Sequence, residues 1–401
     1  MSTSKNFRNK YLFHRILHFI KGILFSIYYS YIYTKRKKTI IFNSACNQEF
    51  TWNAKSLFLH SRNKLEALGF KVYFVINDKN KREYLTSLYG NYFICNKKKT
   101  NVIKIYTAAI WILSTLETPC SGIFLNRKRF VYHLGHGTPI KNIGLCENNL
   151  GFLKKSFYRI NKSNISLFLS SSHFFKKYMA RAFGVNEEKI VVAPQPRIED
   201  LINKNKNINF SFQKDKKYIL YAPTWRHYDD VKLFPYIKDN IDNLNRELQQ
   251  LNIIILLRLH PRFESNLNSY LRTNILNFNS KVCEDISDAL YFTSGLITDY
   301  SSIYCDYLLL KKPVALLPYD LDKYVKEIGF SFLYKEIFPK TIIKNHTDFI
   351  DFCAQVSNDC FNIEEQNTLA EKLNFIPDNC SITDYNISII MKEYEKRWPS
   401  E

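Results

Sequence analysis

The stretch that decides the fold class runs from residue 39 to residue 76 and reads TIIFNSACNQEFTWNAKSLFLHSRNKLEALGFKVYFVI. Its two ends, 39–43 and 69–76, are rich in β-branched and aromatic residues, which is typical of buried strands. Residues 53–68 between them follow a helical pattern. Strand, helix and strand in alternation predict a parallel, doubly wound α/β sheet. The alternation continues in seven further candidate strands, one within 123–133 and the others at 165–170, 190–193, 218–221, 253–259, 295–298 and 314–317.

The chain has 401 residues, which is too long for one ordinary core and fits two domains of average size. A polar stretch without period is interpreted as an interdomain linker. The run Ser381-Ile-Thr-Asp384 resembles a capping box that starts a last helix, which ends near Trp398. The sequence therefore predicts two α/β domains that face each other across a cleft. The predicted ranges are 1–38 for an N-terminal segment, 39–202 for the first domain, 203–217 for the linker, 218–380 for the second domain and 381–401 for the final helix.

Basic residues outnumber acidic residues by 57 to 37, which gives a formal net charge of +20. Such an excess favours a polyanionic partner, namely a nucleic acid, a phospholipid surface or a phosphorylated substrate. The basic residues are spread along the chain and form no standard nucleic-acid module, so a nucleic acid is not expected as a partner. The nine cysteines include no CxxC pair, which argues against a zinc framework or a disulfide scaffold and suits a reducing cytosol.

The N-terminal segment from Tyr11 to Thr34 is strongly apolar and aromatic, and clustered bases flank it. Its longest charge-free run, 22–34, is shorter than the about 20 residues that a spanning helix needs. An apolar, Tyr-rich helix between Lys and Arg clusters is typical of a helix that lies in an anionic headgroup layer. The main alternative is a helix packed on the protein's own core. A membrane span is less favoured, and so is a cleaved signal peptide.

A first candidate site follows the predicted strand at 123–133 and reads His133-Leu-Gly-His136-Gly-Thr-Pro139. The flanking glycines allow the backbone to approach a ligand closely while His136 is presented beyond the strand end. Imidazole is the usual general base near neutral pH. His136 is therefore a candidate catalytic base. The alternative is a turn in which this histidine only caps a helix.

Two further candidate sites follow strands of the second half. The run Tyr221-Ala-Pro-Thr-Trp-Arg226 ends in an arginine that could clamp a phosphate in a bidentate manner. In Leu257-Arg-Leu-His260-Pro261, a histidine followed by proline is placed to meet a diphosphate. Each has a structural alternative, a surface arginine in the first case and a histidine bonded to a neighbouring loop in the second.

The fourth candidate site reads Leu296-Ile-Thr-Asp299-Tyr-Ser301-Ser302 and precedes a helical pattern at 303–310. Hydroxyl and N–H groups at a helix N-terminus can bind an anion. A carboxylate repels phosphate, so we expect Asp299 to bond backbone or hydroxyl groups and fix the loop. A simple helix N-cap at Ser301 or Ser302 is the alternative. The joint occurrence of these four motifs at strand ends, in this order, carries more weight than any single motif.

Together these motifs resemble the CDP-glycerol glycerophosphotransferase family, which includes teichoic-acid primases and polymerases and their capsule-synthesis relatives. The resemblance extends from about residue 40 to residue 330. The matching residues are Asn53, HGTP-x-K-x-x-G at 136–144, YAPTWR at 221–226, Arg258, His260, Pro261, LITDYSS at 296–302, Asp306, Lys312, Pro313, Asp320 and Tyr324.

Two departures from the family pattern concern the identity of the acceptor rather than the class of reaction. The loop at 194–199, PQPRIE, keeps Arg197 but lacks the family's glycine and asparagine. Gly135 stands where a tryptophan usually precedes the motif histidine.

The resemblance implies a GT-B fold, with a CDP-linked donor in the second domain and the acceptor on the first. It also implies an enzyme, a CDP-alditol alditolphosphotransferase, attached peripherally to the cytoplasmic face of the bacterial inner membrane. His136 and His260 are the expected catalytic residues. The expected donor- and phosphate-binding residues are Thr138, Arg197, Arg226, Arg258, Thr298, Asp299, Ser301 and Ser302.

The resulting hypothesis is that a hydroxyl of the acceptor attacks the glycerol-bearing phosphorus of CDP-glycerol and that CMP leaves. His136 takes the hydroxyl proton, while His260, Arg226 and the serines neutralise charge on the diphosphate. No residue cluster has convincing metal spacing, so no tightly held metal is expected, and a loosely bound Mg²⁺ stays open. The expected partners are CDP-glycerol or CDP-ribitol, a lipid-linked or growing-polymer acceptor and an anionic membrane surface.

Three alternatives to this hypothesis remain. One is a ribitol-phosphate transferase of the same family, another is a GT-B glycosyltransferase that uses a nucleotide-sugar, and the third is an inactive membrane scaffold. The sequence leaves open whether glycerol or ribitol is transferred, whether one unit or many are added, which sugars the acceptor contains and what the oligomeric state is. It also does not distinguish a teichoic-acid-like product from a capsule polymer.

Overall fold

A computed structural model describes residues 22–203, 210–226, 228–237, 240–259, 267–283 and 285–399 of the chain. Among these residues the strands form two sheets, one of seven strands and one of five. All strand pairings within both sheets are parallel. The predicted α/β fold with parallel sheets is therefore confirmed.

The first sheet has the strand order β3-β2-β1-β4-β5-β6-β7. Its strands are β1 (Lys37–Asn43), β2 (Lys71–Val75), β3 (Phe93–Ile94), β4 (Ala108–Leu113), β5 (Phe130–His133), β6 (Leu167–Ser170) and β7 (Ile190–Val192). Helix α1, described over 22–27, precedes the sheet and continues into a π-helical turn at Tyr28–Ile32. The other helices on this part of the chain are α2 (Trp52–Ala67), α3 (Lys79–Tyr89), α4 (Lys99–Thr107), α5 (Phe152–Ser163), α6 (His173–Phe183) and α7 (Ile198–Ile202).

The second sheet has the order β10-β9-β8-β11-β12. Its strands are β8 (Lys217–Ala222), β9 (Ile253–Leu257), β10 (Ile275–Asn277), β11 (Gly295–Thr298) and β12 (Val314–Leu316). The helices from this sheet to the C-terminus are α8 (Ile241–Gln250), α9 (Ser287–Leu290), α10 (Ile303–Leu308), α11 (Leu321–Glu327), α12 (Tyr334–Ile337), α13 (His346–Ser357), α14 (Glu364–Leu373) and α15 (Ile382–Arg397).

The last helix returns to the first sheet. It begins at the predicted cap, because the Ser381 side chain accepts a hydrogen bond from the Asp384 backbone N–H. Ile387 and Ile390 of α15 share a hydrophobic core with Phe42 of β1. The apolar face of α15 thus covers the first sheet although the helix follows the second sheet in the chain.

The structure differs from the sequence prediction at several elements. The described strands β3, β4 and β10 have no counterpart among the predicted ones, whereas β5 lies within the predicted range 123–133. The predicted linker lies partly outside the described residues, at 204–209. Its described part was expected to be polar, but it includes an apolar contact, since Phe212 packs on Tyr218 with ring centroids 4.8 Å apart.

The segment before β1 has one packed and one exposed side. Tyr29 stacks on Tyr106 with ring centroids 5.1 Å apart, whereas Leu24 and Ile32 are 78% and 72% exposed. Packing on the core and exposure of apolar surface therefore both occur in this segment. The rest of the predicted membrane-associating segment, residues 1–21, lies outside the described residues. Among the helices that the structure describes, none is long and apolar enough to cross a membrane.

Candidate active site

The candidate site lies where loops from the carboxyl ends of the two sheets come into contact. In each sheet the strand order reverses beside the first strand, between β1 and β4 in the first sheet and between β8 and β11 in the second. Ligands of open α/β sheets bind outside the carboxyl ends of the strands at such a reversal. We call the contact region between these loops, residues 134–142 on one side and 299–306 and 329–331 on the other, the junction.

The loop after β5 is held by Asn53, near the start of α2. Asn53 is fully buried, and its Nδ2 donates to Leu134 O at 3.1 Å and to Gly135 O at 3.0 Å. Its Oδ1 accepts from the Arg197 backbone N at 3.2 Å. Gly135 has a φ of +71°, a conformation that glycine adopts without steric cost. This backbone reversal leaves the next residue, His136, exposed to solvent.

The surroundings of the His136 side chain favour a neutral imidazole. Its pKa is lowered, first because nearby protein atoms displace water from the charged form and then because of the positive Arg197. The Ser114 backbone and the negative Glu117 oppose this shift. The ring still has substantial contact with solvent, so its desolvation is incomplete. Since the ordinary value for histidine is about 6.5, His136 is mainly neutral at neutral pH, which is the form that a general base requires.

Arg197 connects the loops of the two sheets. Its Nη1 donates to His136 O at 2.6 Å, and its Nη2 lies 2.7 Å from Asp306 Oδ2 on α10. Both side chains are largely shielded from solvent. Burial raises the pKa of the Asp306 carboxyl, and the charge of Arg197 opposes that shift. Arg197 therefore stabilises the junction through contacts within the protein, and its binding of phosphate stays a prediction.

The loop after β5 also touches the loop after β11. A Cβ added to Gly137 would lie 3.1 Å from Ser302 Oγ, so a side chain there would press on the serine. The buried Thr138 hydroxyl accepts a hydrogen bond from Gln195 Nε2 at 3.1 Å and lies near Cys305 of α10. Ser301 and Ser302 are half-buried. The structure thus brings His136, Thr138, Arg197 and Ser302 into one region, and their joint action on a ligand stays a prediction.

Arg226 does not present a phosphate clamp in this structure. Its side chain is fully buried, and its Nη1 donates to Asp299 Oδ2 at 2.5 Å. Its Nε and Nη2 donate to the two carboxylate oxygens of Asp320 at 3.1 and 2.7 Å. The rings of Tyr300 and Tyr319 lie 5.1 and 4.9 Å from the guanidinium carbon. Because two carboxylates already pair with its charge, Arg226 stabilises the loops after β8 and β11 instead.

Asp299 and Thr298 also make contacts within the protein rather than facing a ligand. Asp299 Oδ1 accepts from the Thr224 and Tyr300 backbone N atoms at 2.8 and 2.5 Å. The Thr298 hydroxyl donates to Ala222 O at 2.6 Å, and both side chains are buried. Their hydrogen bonds fix the strand ends and the loop between them. The predicted direct binding of a donor phosphate by these two residues has no support in this geometry.

The loop after β9 carries the remaining predicted residues. Arg258 Nη1 donates to Cys283 O at 2.7 Å and to Phe278 O at 3.2 Å, which places this half-buried guanidinium beside the loop after β10. His260 lies outside the described residues, so its catalytic role stays a prediction. Among the described residues, no group of three or more His, Cys, Asp or Glu could hold a metal ion.

Lys141 is a further site candidate, which was part of a recognised motif but was not among the predicted site residues. Its backbone forms an antiparallel bridge with Phe330, and its Nζ lies 5.9 Å from the Tyr324 ring centroid. Its pKa is lowered to about 8, first by desolvation, with Asp299 opposing and Arg226 reinforcing the shift. No ion pair joins its amine to a described carboxylate. The HGTP-x-K pattern could have drawn attention to this lysine, because it places a cation five residues after His136.

The junction combines an imidazole whose pKa is lowered with serine hydroxyl groups and a lysine, at the strand ends of two parallel sheets. The chain belongs to the CDP-Glycerol:Poly(glycerophosphate) glycerophosphotransferase family, whose model matches residues 25–381. It is therefore an enzyme of the CDP-alditol transferase type.

Two curated relatives illustrate the range of the family. The teichoic acid glycerol-phosphate transferase of Staphylococcus aureus (strain NCTC 8325 / PS 47) is 27% identical over 372 residues, which cover 87% of this chain and 90% of that protein. The teichoic acid poly(glycerol phosphate) polymerase of Staphylococcus epidermidis is 28% identical over 332 residues, which cover 77% of this chain and 44% of that protein. The chain thus spans most of the transferase but less than half of the polymerase.

Solved structures support the same fold. A variant of the wall teichoic acid polymerase TagF superimposes with a TM-score of 0.72 at 22% identity, over 97% of this chain and 99% of that chain. A putative UDP-N-acetylglucosamine 2-epimerase from Listeria monocytogenes gives a TM-score of 0.57 at 12% identity, over 90% of this chain and 97% of that chain. At these identities the similarity concerns the fold alone.

Proposed function

We propose that this protein transfers glycerol phosphate from CDP-glycerol to a lipid-linked or growing-polymer acceptor and releases CMP. The observation that carries the proposal is the exposed His136 with a lowered pKa, held at the junction of a chain of this family. The name of the Staphylococcus aureus relative, which this chain matches over most of its length, supports glycerol phosphate as the transferred group. A TagF variant soaked with CDPG has a similar fold, with a TM-score of 0.69.

In the proposed reaction, an acceptor hydroxyl oxygen attacks the glycerol-bearing phosphorus of CDP-glycerol. A new P–O bond forms to the acceptor, the P–O bond to the CMP moiety breaks, and CMP carries away the bonding electrons. His136 removes the hydroxyl proton as the new bond forms and returns it later to CMP or to solvent. General-base catalysis of this kind contributes about 10²–10⁴-fold to the rate.

Negative charge that develops on the diphosphate as its P–O bond breaks and CMP leaves needs positive partners. Arg226 is fully paired within the protein, so we assign this role to Lys141, whose amine has no carboxylate partner among the described residues. The hydroxyl groups of Ser301 and Ser302 lie in the same junction and can donate to phosphate oxygens. His260 retains its predicted place at the diphosphate. A loosely bound Mg²⁺ on the diphosphate stays part of the proposal.

We also propose that the enzyme is attached peripherally to the cytoplasmic face of the inner membrane. Helices α1 and α5 are among the described helices that carry exposed apolar side chains, and Phe152 and Leu153 of α5 are 80% and 64% exposed. The pKa of Lys162 in α5 is lowered by desolvation and then by its basic neighbours Arg159 and Lys189, so positive charge is concentrated there. Apolar side chains beside unneutralised bases favour an anionic lipid surface. Binding of the protein to anionic vesicles, and not to neutral ones, would support this attachment.

The test of the proposed reaction is product analysis with purified protein. Incubation with a lipid-linked acceptor and CDP-glycerol is expected to release CMP and to add glycerol phosphate units to the acceptor, as measured by mass spectrometry. Parallel incubations with CDP-ribitol and with UDP-sugars give the specificity. Release of UDP from a UDP-sugar, with no CMP from either CDP-alditol, would contradict the proposal and favour a sugar transferase.

Ribitol phosphate is the second candidate group, because the family also contains ribitol-phosphate enzymes. The teichoic acid ribitol-phosphate primase of Bacillus spizizenii is 27% identical over 194 residues, which cover 46% of this chain and 49% of that protein. This match covers only about half of the chain, whereas the match to the glycerol-phosphate transferase covers most of it. Glycerol phosphate is therefore the better-supported group. Whether the polymer is a teichoic acid or a capsule polymer is decided by the acceptor that the assay accepts.

A further inference from the structure

The loop after β1 contains an unusual concentration of left-handed backbone. Trp52, the first residue of α2, has a φ of +61°, and Cys46 and Asn47 earlier in the same loop have φ values of +54° and +56°. A bulky residue with a side chain rarely adopts this region, because its Cβ crowds the backbone. Such conformations persist where the surrounding structure holds them, and they cluster at functional sites. The loop lies beside the strand-order reversal of the first sheet.

The side chain of Trp52 contacts the proposed catalytic base. The indole and the His136 imidazole have ring centroids 5.1 Å apart, with an interplanar angle of 38°. The next residue, Asn53, holds the carbonyl groups of Leu134 and Gly135, which directly precede His136. Two consecutive residues thus hold the two parts of the base, since Asn53 fixes its backbone and Trp52 contacts its ring.

The strained loop is anchored to the loop after β4. The Cys46 backbone N donates to Glu117 Oε2 at 3.4 Å, and Asn47 Nδ2 donates to Thr118 O at 3.2 Å. Glu117 is also the carboxylate that favours protonation of His136. Glu117 is thus a neighbour both of the loop that leads to Trp52 and of the base.

We propose that Trp52 is a positioning residue, held in a strained left-handed conformation so that its indole fixes the His136 imidazole in the orientation that accepts the acceptor's proton. This inference rests on the proposed function of His136. The indole itself takes no part in a chemical step. The chain tolerates strain at Trp52 because the ring contact is needed for the reaction.

A matched pair of variants tests the strain without any measurement of activity. Trp52→Gly and Trp52→Ala both remove the indole, but only alanine places a Cβ in the left-handed conformation. We expect the glycine variant to have the higher Tm, which inverts the usual order of these residues in a helix. A higher Tm for Trp52→Ala would show that the backbone is not strained and would overturn this part of the inference.

Steady-state kinetics test the positioning role. For Trp52→Gly we expect kcat for CMP release to fall by about 10²-fold, because a base displaced by about 1 Å loses that much, while KM for CDP-glycerol stays unchanged. Trp52→Phe keeps an aromatic ring and is expected to recover most of kcat. A wild-type kcat in Trp52→Gly would overturn the inference, and so would a Trp52→Phe variant no better than Trp52→Gly.

Fluorescence separates failure of this inference from failure of the proposed function. A protonated imidazole quenches a neighbouring indole, so acidification below pH 6.5, the ordinary value for histidine, is expected to reduce the emission of the wild-type protein. The charged groups around His136 are Glu117 and Arg197, and the neighbouring His133 has its pKa lowered to about 3 by burial. The quenching step is expected to disappear in both Trp52→Phe and His136→Asn. Its persistence in either variant would contradict the ring contact, even if the enzyme proved to use another substrate.

Discussion

His136 and Arg226 both follow a strand at its carboxyl end, and the sequence made both candidates for contact with the substrate. In the structure Arg226 is fully buried and its charge is paired with Asp299 and Asp320. His136 is exposed; Trp52 contacts its ring, the Ser114 backbone forms a hydrogen bond with the imidazole, and Arg197 binds its carbonyl. The difference teaches that a motif residue can act on a ligand only where the protein leaves its hydrogen-bonding groups unused. Motif identity alone does not separate these two cases.

The largest expected effect is on catalysis at His136. In His136→Asn the base is lost, so CMP release from CDP-glycerol is expected to fall by about 10²–10⁴-fold. The exposed side chain contributes little to the core, so the unfolding temperature should stay close to that of the wild type. His346→Asn provides a histidine control, since His346 pairs with Glu247 on the surface of the second sheet's helices. Near-normal CMP release in His136→Asn would remove this residue from the mechanism.

Arg226 is expected to show the opposite behaviour. Arg226→Met leaves Asp299 and Asp320 without their cation, and breaking a buried ion pair costs about 3–5 kcal/mol of unfolding free energy. Urea unfolding measures this loss. The matched control is Lys323→Met, because Lys323 pairs with Asp229 at a half-exposed site where such ion pairs contribute little to stability. If Arg226→Met keeps wild-type stability but fails to bind CDP-glycerol, Arg226 would instead be a phosphate-binding residue, as the sequence predicted.

The surroundings of Lys141 are intermediate between those of His136 and Arg226. Its side chain is partly shielded from solvent but has no carboxylate partner among the described residues. Lys141→Met is expected to raise KM for CDP-glycerol by about tenfold or more, because a charge-assisted hydrogen bond contributes about 1.5–3 kcal/mol. Lys141→Arg keeps the charge and should recover part of the affinity. Since its pKa is about 8, the wild-type KM should also rise as the pH increases above that value. A KM that is unchanged in Lys141→Met would exclude this lysine from donor binding.

The smallest expected effect is on the pH profile. Glu117 favours protonation of His136, so Glu117→Gln should lower the pKa of His136 further. The neutral imidazole then persists to lower pH, and the acid limb of the kcat/KM profile is expected to move to lower pH. Glu117→Asp keeps the charge and serves as the control. A shift to higher pH in Glu117→Gln would contradict the proposed electrostatics around the base.

Strong local patterns in the sequence predicted much of the fold. The β-branched run at the start of β1, the helical pattern of α2 and the Ser381 cap of α15 each have a local signature, and each is present in the structure. Strand β4 was missed although all six of its residues are buried. It follows α4 with no turn residue between them, so the apolar run does not show where the helix ends and the strand begins.

The site could be predicted only in part, because pairing between distant residues is not a local property. The sequence placed His136, Thr138, Arg197 and Ser302 in one site, and the structure brings them together at the junction. It could not show that Arg226 pairs with Asp320, 94 residues further along the chain. The contact of Trp52 with His136 is equally remote in sequence. The left-handed backbone that accompanies it has no signature in residue type, because tryptophan does not favour that conformation.

The most direct test of the account is a crystal structure of His136→Asn with CDP-glycerol bound. We expect the diphosphate at the junction, in contact with Lys141 and with Ser301 or Ser302, while Arg226 keeps its bonds to Asp299 and Asp320. The glycerol-bearing phosphorus should lie within reach of a hydroxyl held beside residue 136. A diphosphate bound away from the junction, or an Arg226 guanidinium turned from its carboxylates onto the phosphates, would contradict the account.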